Sequence, residues 1–333
     1  MHLARFPRVS LAHLPTPLEP LPRFSDHLGG PTIWVKRDDC TGLATGGNKT
    51  RKLEWVMGAA LEEDADTIIT VGALQSNHVR QTAAAACKLG LACEVLLEHR
   101  IVDPSETYRS SGNVLLDRLF GAALHEYPAG TDFPAAMDEH AERIRAAGGR
   151  PYIVPGGASD RTGALGYVNC IPELLTQAND RGLVIDHLVT ATGSAGTQAG
   201  LIVGLQAMHS GVPLLGIGVG APRELQEKKV YDLAIETAEY IGAPGVVSRD
   251  DVIANCDYIG EAYGVPTEAM NDAVLTLART EGLLFDPVYS GKALAGLIDL
   301  VQTGYFEGAE NIVFLHTGGS AALFAYADQL RID

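Results

Sequence analysis

The stretch "TIITVGALQSNHVRQTAAAACKLG", Thr67–Gly90, decides the fold. Thr67–Gly72 is an unbroken run rich in β-branched residues, the pattern of a strand buried on both faces. A polar turn follows, and Asn77–Leu89 then sets Val79 and the alanines at helical spacing until Gly90 ends the pattern. Strand, turn and helix in that order form the unit of a parallel sheet. The same unit recurs on either side. "TIWVKRD" (Thr32–Asp38), "CEVLLE" (Cys93–Glu98), "PYIVPGG" (Pro151–Gly157), "HLVTATG" (His187–Gly193), "PLLGIGVG" (Pro213–Gly220) and "NIVFLHTGG" (Asn311–Gly319) read as strands. Lys49–Glu62 and Gly196–Met208 read as helices between them. The chain is therefore expected to be α/β, with open, mostly parallel sheets flanked by helices and right-handed crossovers. Two domains are expected. Residues 53–152 hold their own strand–helix series and form a smaller insertion in a larger domain of residues 1–52 and 153–333. "PGGASDRTGALGY" (Pro155–Tyr167) is the return crossing.

Composition narrows the function. The chain has 333 residues and a formal net charge of -16, so a general nucleic-acid surface is not expected. Its five cysteines, Cys40, Cys87, Cys93, Cys170 and Cys256, are scattered without a CxxC pair. That usage points to isolated thiols in a reducing cytoplasm, with neither a disulfide scaffold nor a bound metal. Prolines break the N-terminal segment where a signal peptide needs an apolar core, and no apolar run reaches the ~20 residues of a membrane span. A soluble cytoplasmic protein with a small-molecule substrate is the expectation.

Four turns that follow strands carry the chemistry. In "GGNKTRKLE", Gly46 and Gly47 permit a tight turn and Asn48 suits an N-cap, so Lys49 falls in the first helical turn. The helix dipole disfavours a cation there. Such a lysine either snorkels to solvent or is kept for chemistry, its amine made nucleophilic by electropositive surroundings. In "GALQSNHVRQ", Ser76 or Asn77 caps the helix, but a cap alone does not require Gln75, Ser76, Asn77, His78 and Arg80 together. The cluster suits an anion at a helix N-terminus. "TGSAGTQAG" (Thr192–Gly200) is a cup of N–H and hydroxyl donors of phosphate size. Its glycine spacing is not the dinucleotide fingerprint, and "GIGVG" (Gly216–Gly220) also misses it. In "DPVYSGKA", Tyr289 is either a core aromatic or a site group. One lysine, a phosphate cup, a donor-rich helix start and a tyrosine turn are what pyridoxal 5′-phosphate requires.

These motifs, with "KRDD", "YGVP" and "HTGG", resemble in order and over essentially the whole chain the fold-type II pyridoxal-phosphate enzymes. The similar group holds 1-aminocyclopropane-1-carboxylate deaminase, D-cysteine desulfhydrase and L-cysteate sulfo-lyase. The resemblance implies that Lys49 is the Schiff-base lysine and that Lys52 reaches the cofactor phosphate. It implies that Gly193, Ser194, Ala195, Gly196 and Thr197 bind that phosphate and that Asn77 bonds the ring hydroxyl. Ser290 and Thr317 are implied to lie at the cofactor, Tyr289 at its ring, and Tyr263 and Ser76 at the substrate. A homodimer is also implied.

Ser290 departs from the deaminase pattern, which carries a glutamate there to keep the pyridine nitrogen protonated. A serine makes the ring a weaker electron sink, which favours loss of a good β-leaving group over opening a cyclopropane. Between the eliminating members, "KRDDCTGLATGGNKTRKLE" looks most like the cysteate sulfo-lyases, with Thr45 as the distinguishing hydroxyl. The expected reaction is therefore L-cysteate to pyruvate, ammonia and sulfite. D-cysteine to pyruvate, ammonia and sulfide is the alternative. Thr45, Ser76, Asn77, His78 and Gln198 are the expected contacts of a small anionic amino acid, since a buried anion needs donors or charge partners.

Overall fold

The computed structural model describes residues 2–332; Met1 and Asp333, the outer ends of the expected larger domain, lie outside the described residues. Ten strands are described: β1 (Leu18–Pro20), β2 (Thr32–Arg37), β3 (Thr67–Ala73), β4 (Ala92–His99), β5 (Ala123–Pro128), β6 (Pro151–Val154), β7 (His187–Thr192), β8 (Leu214–Gly218), β9 (Ile253–Asn255) and β10 (Asn311–His316). They form a six-stranded sheet in the order β1-β2-β10-β7-β8-β9 and a four-stranded sheet in the order β5-β4-β3-β6. Every pairing is parallel except β1 with β2.

Burial on both faces explains why these strands are so apolar. On β10, Val313 and Leu315 pack into the core under the helices Arg161–Val168 and Gly196–Ala207, while Ile312 and Phe314 face the core under Glu268–Glu281 and Ser290–Gln302. In the second sheet, Ile68, Val95 and Leu97 face one core, and Ile69 and Leu96 face another under the helix Phe133–Ala146. The strand period of two places alternate residues in opposite cores.

The helix Asn48–Glu62 leads from the first sheet to the second and is buried along most of its length. It packs on Arg161–Val168 at Gly166, where a Cβ would lie 2.4 Å from the Arg51 carbonyl oxygen. The turns after β3, β6, β7 and β10 contribute to a single cleft. Ligands of open α/β sheets bind at this end, beyond the strands' carboxyl termini.

Candidate active site

The cleft has a narrow inner slot and a wider chamber. Asn48, Lys49, Asn77, Gly193, Ser194, Ala195, Thr197, Gln198, Tyr289 and Thr317 line the slot, with His78. The chamber, about 310 Å³, shares Lys49, His78, Gly193, Ser194 and Tyr289 and adds Ser76, Tyr263, Arg100 and Lys229. Its size suits a small ligand.

Lys49 is the second residue of its helix, where the backbone dipole opposes a positive charge. Burial pushes its amine down to about 8; Asp286 pulls it up and Arg80 pushes it further down. Lys49 is thus a lining group poised near neutrality. The tyrosines are not: burial pushes Tyr289 up to about 12 and Tyr263 well above the usual phenol range. Their hydroxyls bond one another, so at neutral pH they donate hydrogen bonds and do not act as bases. Burial, and then Lys49 and Lys52, hold His78 well below the usual imidazole range. Its Nε2 lies 2.8 Å from Thr70 Oγ1.

The glycine cup is built by close approach. A Cβ on Gly157 would lie 2.2 Å from Ser194 Oγ, and one on Gly196 would lie 2.7 Å from Lys52 Nζ and 2.8 Å from Ser159 Oγ. Ala195 takes φ 78°, turning the chain into the helix Gly196–Ala207, whose Thr197 and Gln198 line the slot while the Gly196 N–H donates to Ser159 Oγ at 3.2 Å. Lys52 sits behind this loop and donates to the Gly157 carbonyl at 2.9 Å and to Ser159 Oγ at 3.1 Å. The Lys49 amine, the donor-lined cup and Asn77 share one slot, a set that fits pyridoxal phosphate; burial and the nearby Lys49 hold the Lys52 amine well below its usual range.

The structure thus gathers Lys49, Ser76, Asn77, His78, Gly193, Ser194, Ala195, Thr197, Gln198, Tyr263, Tyr289 and Thr317 around the cleft, with Lys52 and Gly196 directly behind the cup. Several expectations need correction. Thr45 is exposed, at φ 67°, and lines neither part of the cleft. Ser290 is buried outside the lining. Its Oγ donates to Asp286 Oδ1 at 2.6 Å and accepts from the Asp286 N–H at 2.8 Å, which closes the turn. Asn48 is not the N-cap; Gly47 is, at φ 132°, and Asn48 Nδ2 instead donates to Thr197 Oγ1 at 2.9 Å. Gln198 Nε2 is taken by the Ile253 carbonyl at 2.8 Å. Ser76, by contrast, does cap its helix, accepting from the Val79 N–H at 3.3 Å.

Sequence reasoning did not select Arg100, Lys229, Asp286 or Asn113. Arg100 pairs with Glu98, and its guanidinium sits 5.0 Å over the Tyr263 ring. Nothing local marks Arg100, Lys229 or Asn113, which join the site through tertiary contacts; Asp286 lies in the Tyr289 turn itself, where its carboxylate accepts from the Tyr289 N–H at 3.1 Å and the Ser290 N–H at 2.7 Å.

A family model described as pyridoxal-phosphate dependent enzyme matches residues 9–318. The chain belongs to that family. It is 49% identical over 329 residues to the D-cysteine desulfhydrase of Klebsiella pneumoniae subsp. pneumoniae, covering 99% of both chains. To the D-cysteine desulfhydrase of Salmonella typhi it is 48% identical over 325 residues, covering 98% of both. Among solved structures, an ACC deaminase homologue superposes with a TM-score of 0.89 at 39% identity over 99% of both chains. An O-ureido-L-serine synthase shares the fold at a TM-score of 0.65 and 19% identity, covering 96% of this chain and 93% of its own. The two-sheet α/β architecture is that of these enzymes, and the cofactor is pyridoxal phosphate.

Proposed function

We propose that the chain is a carbon–sulfur lyase acting on D-cysteine, with pyruvate, ammonia and sulfide as products. The observation that carries this reading is the Lys49 amine, lowered to about 8, facing a small chamber shared with Ser76, Tyr263 and Tyr289. The whole-length likeness to two D-cysteine desulfhydrases supports the choice of substrate. Bound pyridoxal phosphate supplies an electron sink for the α-carbon. Lys49 takes the α-proton, and the sulfur leaves the β-carbon with its bonding pair as the Cα–Cβ double bond forms. Ser76, at the N-terminus of the helix Asn77–Leu89, and the tyrosine hydroxyls hold the substrate carboxylate by hydrogen bonds.

A second reading, L-cysteate with release of sulfite, is favoured by one observation. Among the described residues, the chamber lining holds Arg100 and Lys229 and no carboxylate, although Glu98 outside the lining pairs with Arg100 and the chain carries a net charge of -16. A sulfonate would meet these two residues, not Thr45. Product analysis of the cofactor-loaded protein with D-cysteine, L-cysteate and 1-aminocyclopropane-1-carboxylate in parallel tests both readings. Sulfide and pyruvate from D-cysteine support the first, and sulfite from L-cysteate alone replaces it with the second. If L-cysteate turns over, Arg100→Gln raises its KM about tenfold and leaves that of D-cysteine within about twofold, the loss of one charge-assisted contact. An equal effect on both substrates rules out Arg100 as the sulfonate contact.

A further inference from the structure

The four-stranded sheet carries a second cluster of chemistry-bearing side chains that lines neither part of the cleft. Strand register pairs Glu94 with Ala123 and Leu96 with His125, so Glu94 and His125 stand on one face as diagonal neighbours. His140 reaches the same face from the helix Phe133–Ala146, which covers Leu96 there. Glu94 Oε2 lies 2.6 Å from His140 Nδ1 and 3.4 Å from His125 Nε2, and the three donor atoms all lie within 4.8 Å of one another.

Three features go beyond an ordinary surface ion pair. His125 Nε2 is buried and has no hydrogen-bond partner, although it points at the carboxylate. The other ring nitrogen of His140, Nε2, is engaged by the Tyr127 hydroxyl at 3.0 Å, which orients Nδ1 inward as an outer partner does for a metal-bound imidazole. With bonds of about 2.0–2.1 Å, neighbouring donors on a tetrahedral zinc stand about 3.3 Å apart; the Glu94–His125 separation of 3.4 Å matches this, and the Glu94–His140 hydrogen bond at 2.6 Å would open by about 0.7 Å as an ion replaces its proton. Two imidazoles and a carboxylate are a known zinc-binding set that leaves one position for water.

We propose that Glu94, His125 and His140 bind one divalent transition-metal ion of the zinc class. The ion would clamp the helix Phe133–Ala146 onto β4 and β5. Arg143 now donates to Glu94 Oε2, with its Nη2 3.1 Å from His140 Nδ1. Its side chain is 57% exposed, so it can swing out as the ion takes over its charge.

The test uses the cofactor-loaded full chain, stripped with chelator and titrated with Co²⁺. A visible ligand-field band should saturate at one equivalent and be displaced by Zn²⁺. Zn²⁺ should raise the melting temperature of this protein and not that of His140→Ala. Tyr127→Phe should weaken Co²⁺ binding about 10–100-fold. Arg143→Met, which removes the competing cation without touching a ligand, should tighten it several-fold even if the histidine variants fold poorly. No saturable band, or one unchanged in the His125→Ala/His140→Ala double variant, overturns the proposal, as does Arg143→Met binding no tighter.

Discussion

The orientation of Asn77 shows how one amide is aimed. Its Oδ1 accepts from Asn113 Nδ2 at 3.0 Å and from Arg80 Nη1 at 3.5 Å, so the NH₂ end is left for the slot. Gln75 fixes Asn113 in turn, accepting from its N–H at 2.8 Å and from its Nδ2 at 3.1 Å through the backbone carbonyl. We expect Asn113→Ala to shift the absorption maximum of the bound cofactor and lower kcat about tenfold, by loosening a donor to the ring. Asn113→Asp sets acceptor against acceptor and should shift it further. An unchanged spectrum in both variants would show that Asn113 does not aim Asn77. Lys49 gives a second expectation. Because its amine sits near 8, the cofactor-free protein should capture pyridoxal phosphate faster as pH rises towards 8 and level off above it. An ordinary lysine would keep accelerating to about pH 10; stopped-flow absorbance distinguishes the two. Lys49 was legible in the sequence because a cation in a first helical turn conflicts with the dipole. Thr45 and Ser290 were misplaced because motif adjacency does not say which way a side chain points. Both sit in tight turns whose backbone aims them elsewhere.

Elements were easier to read than their margins. Buried strands β3, β7 and β10 and the helix Asn77–Leu89 were legible from apolar runs and glycine stops. The short β1 and β9, three residues each, were not, because so short a run has no period; nor was the half-exposed β5 at the sheet's edge. The glycine cup was legible as a donor-rich turn, but the reason for its glycines was not, since it lies in Lys52 and Ser159 from other segments. That contact gives an element-level prediction. Gly196→Ala would force its Cβ against Lys52 Nζ, spoiling the cup while the helix that follows gains a better helix former. Pyridoxal phosphate should dissociate at least tenfold more readily, measured by equilibrium dialysis, with the melting point of the cofactor-free protein within a few degrees. A large loss of that melting point with cofactor affinity intact would make Gly196 a packing residue, not a cofactor residue.

Across the molecule, the cleft depends on a buried ion network that no local pattern announces. Asp38, after β2, accepts from Arg51 Nε at 2.8 Å and Nη2 at 2.9 Å, from the Tyr167 hydroxyl at 2.6 Å and from Thr16 Oγ1 at 2.8 Å. Glu173 takes the rest of the Arg51 guanidinium at 2.8 and 3.0 Å and also pairs with Lys36. The N-terminal segment, β2, the Lys49 helix and the helices Arg161–Val168 and Cys170–Arg181 are thereby held together, with Arg51 two residues from Lys49. Burial alone would raise the Asp38 carboxyl, but the charge and hydrogen bonds of Arg51, with Lys36 and Tyr167, together outweigh it and hold the group below the usual range; Glu173 is lowered against burial by Arg51 and Lys36. For such depressed carboxyls the stabilisation is present above their unfolded values, about pH 4, and is lost as pH falls through their folded values. Arg51→Met leaves Asp38 buried without its main partner, a change that costs about 3–5 kcal/mol. The exposed pair Arg145–Glu142 is a control, since Arg145→Met should change stability by less than about 1 kcal/mol. Thermal unfolding of both variants should show the Arg51→Met defect at full size at pH 7, shrinking towards pH 3 as Asp38 is protonated. A defect of the same size at both pH values would mean that the guanidinium acts through packing, not through charge.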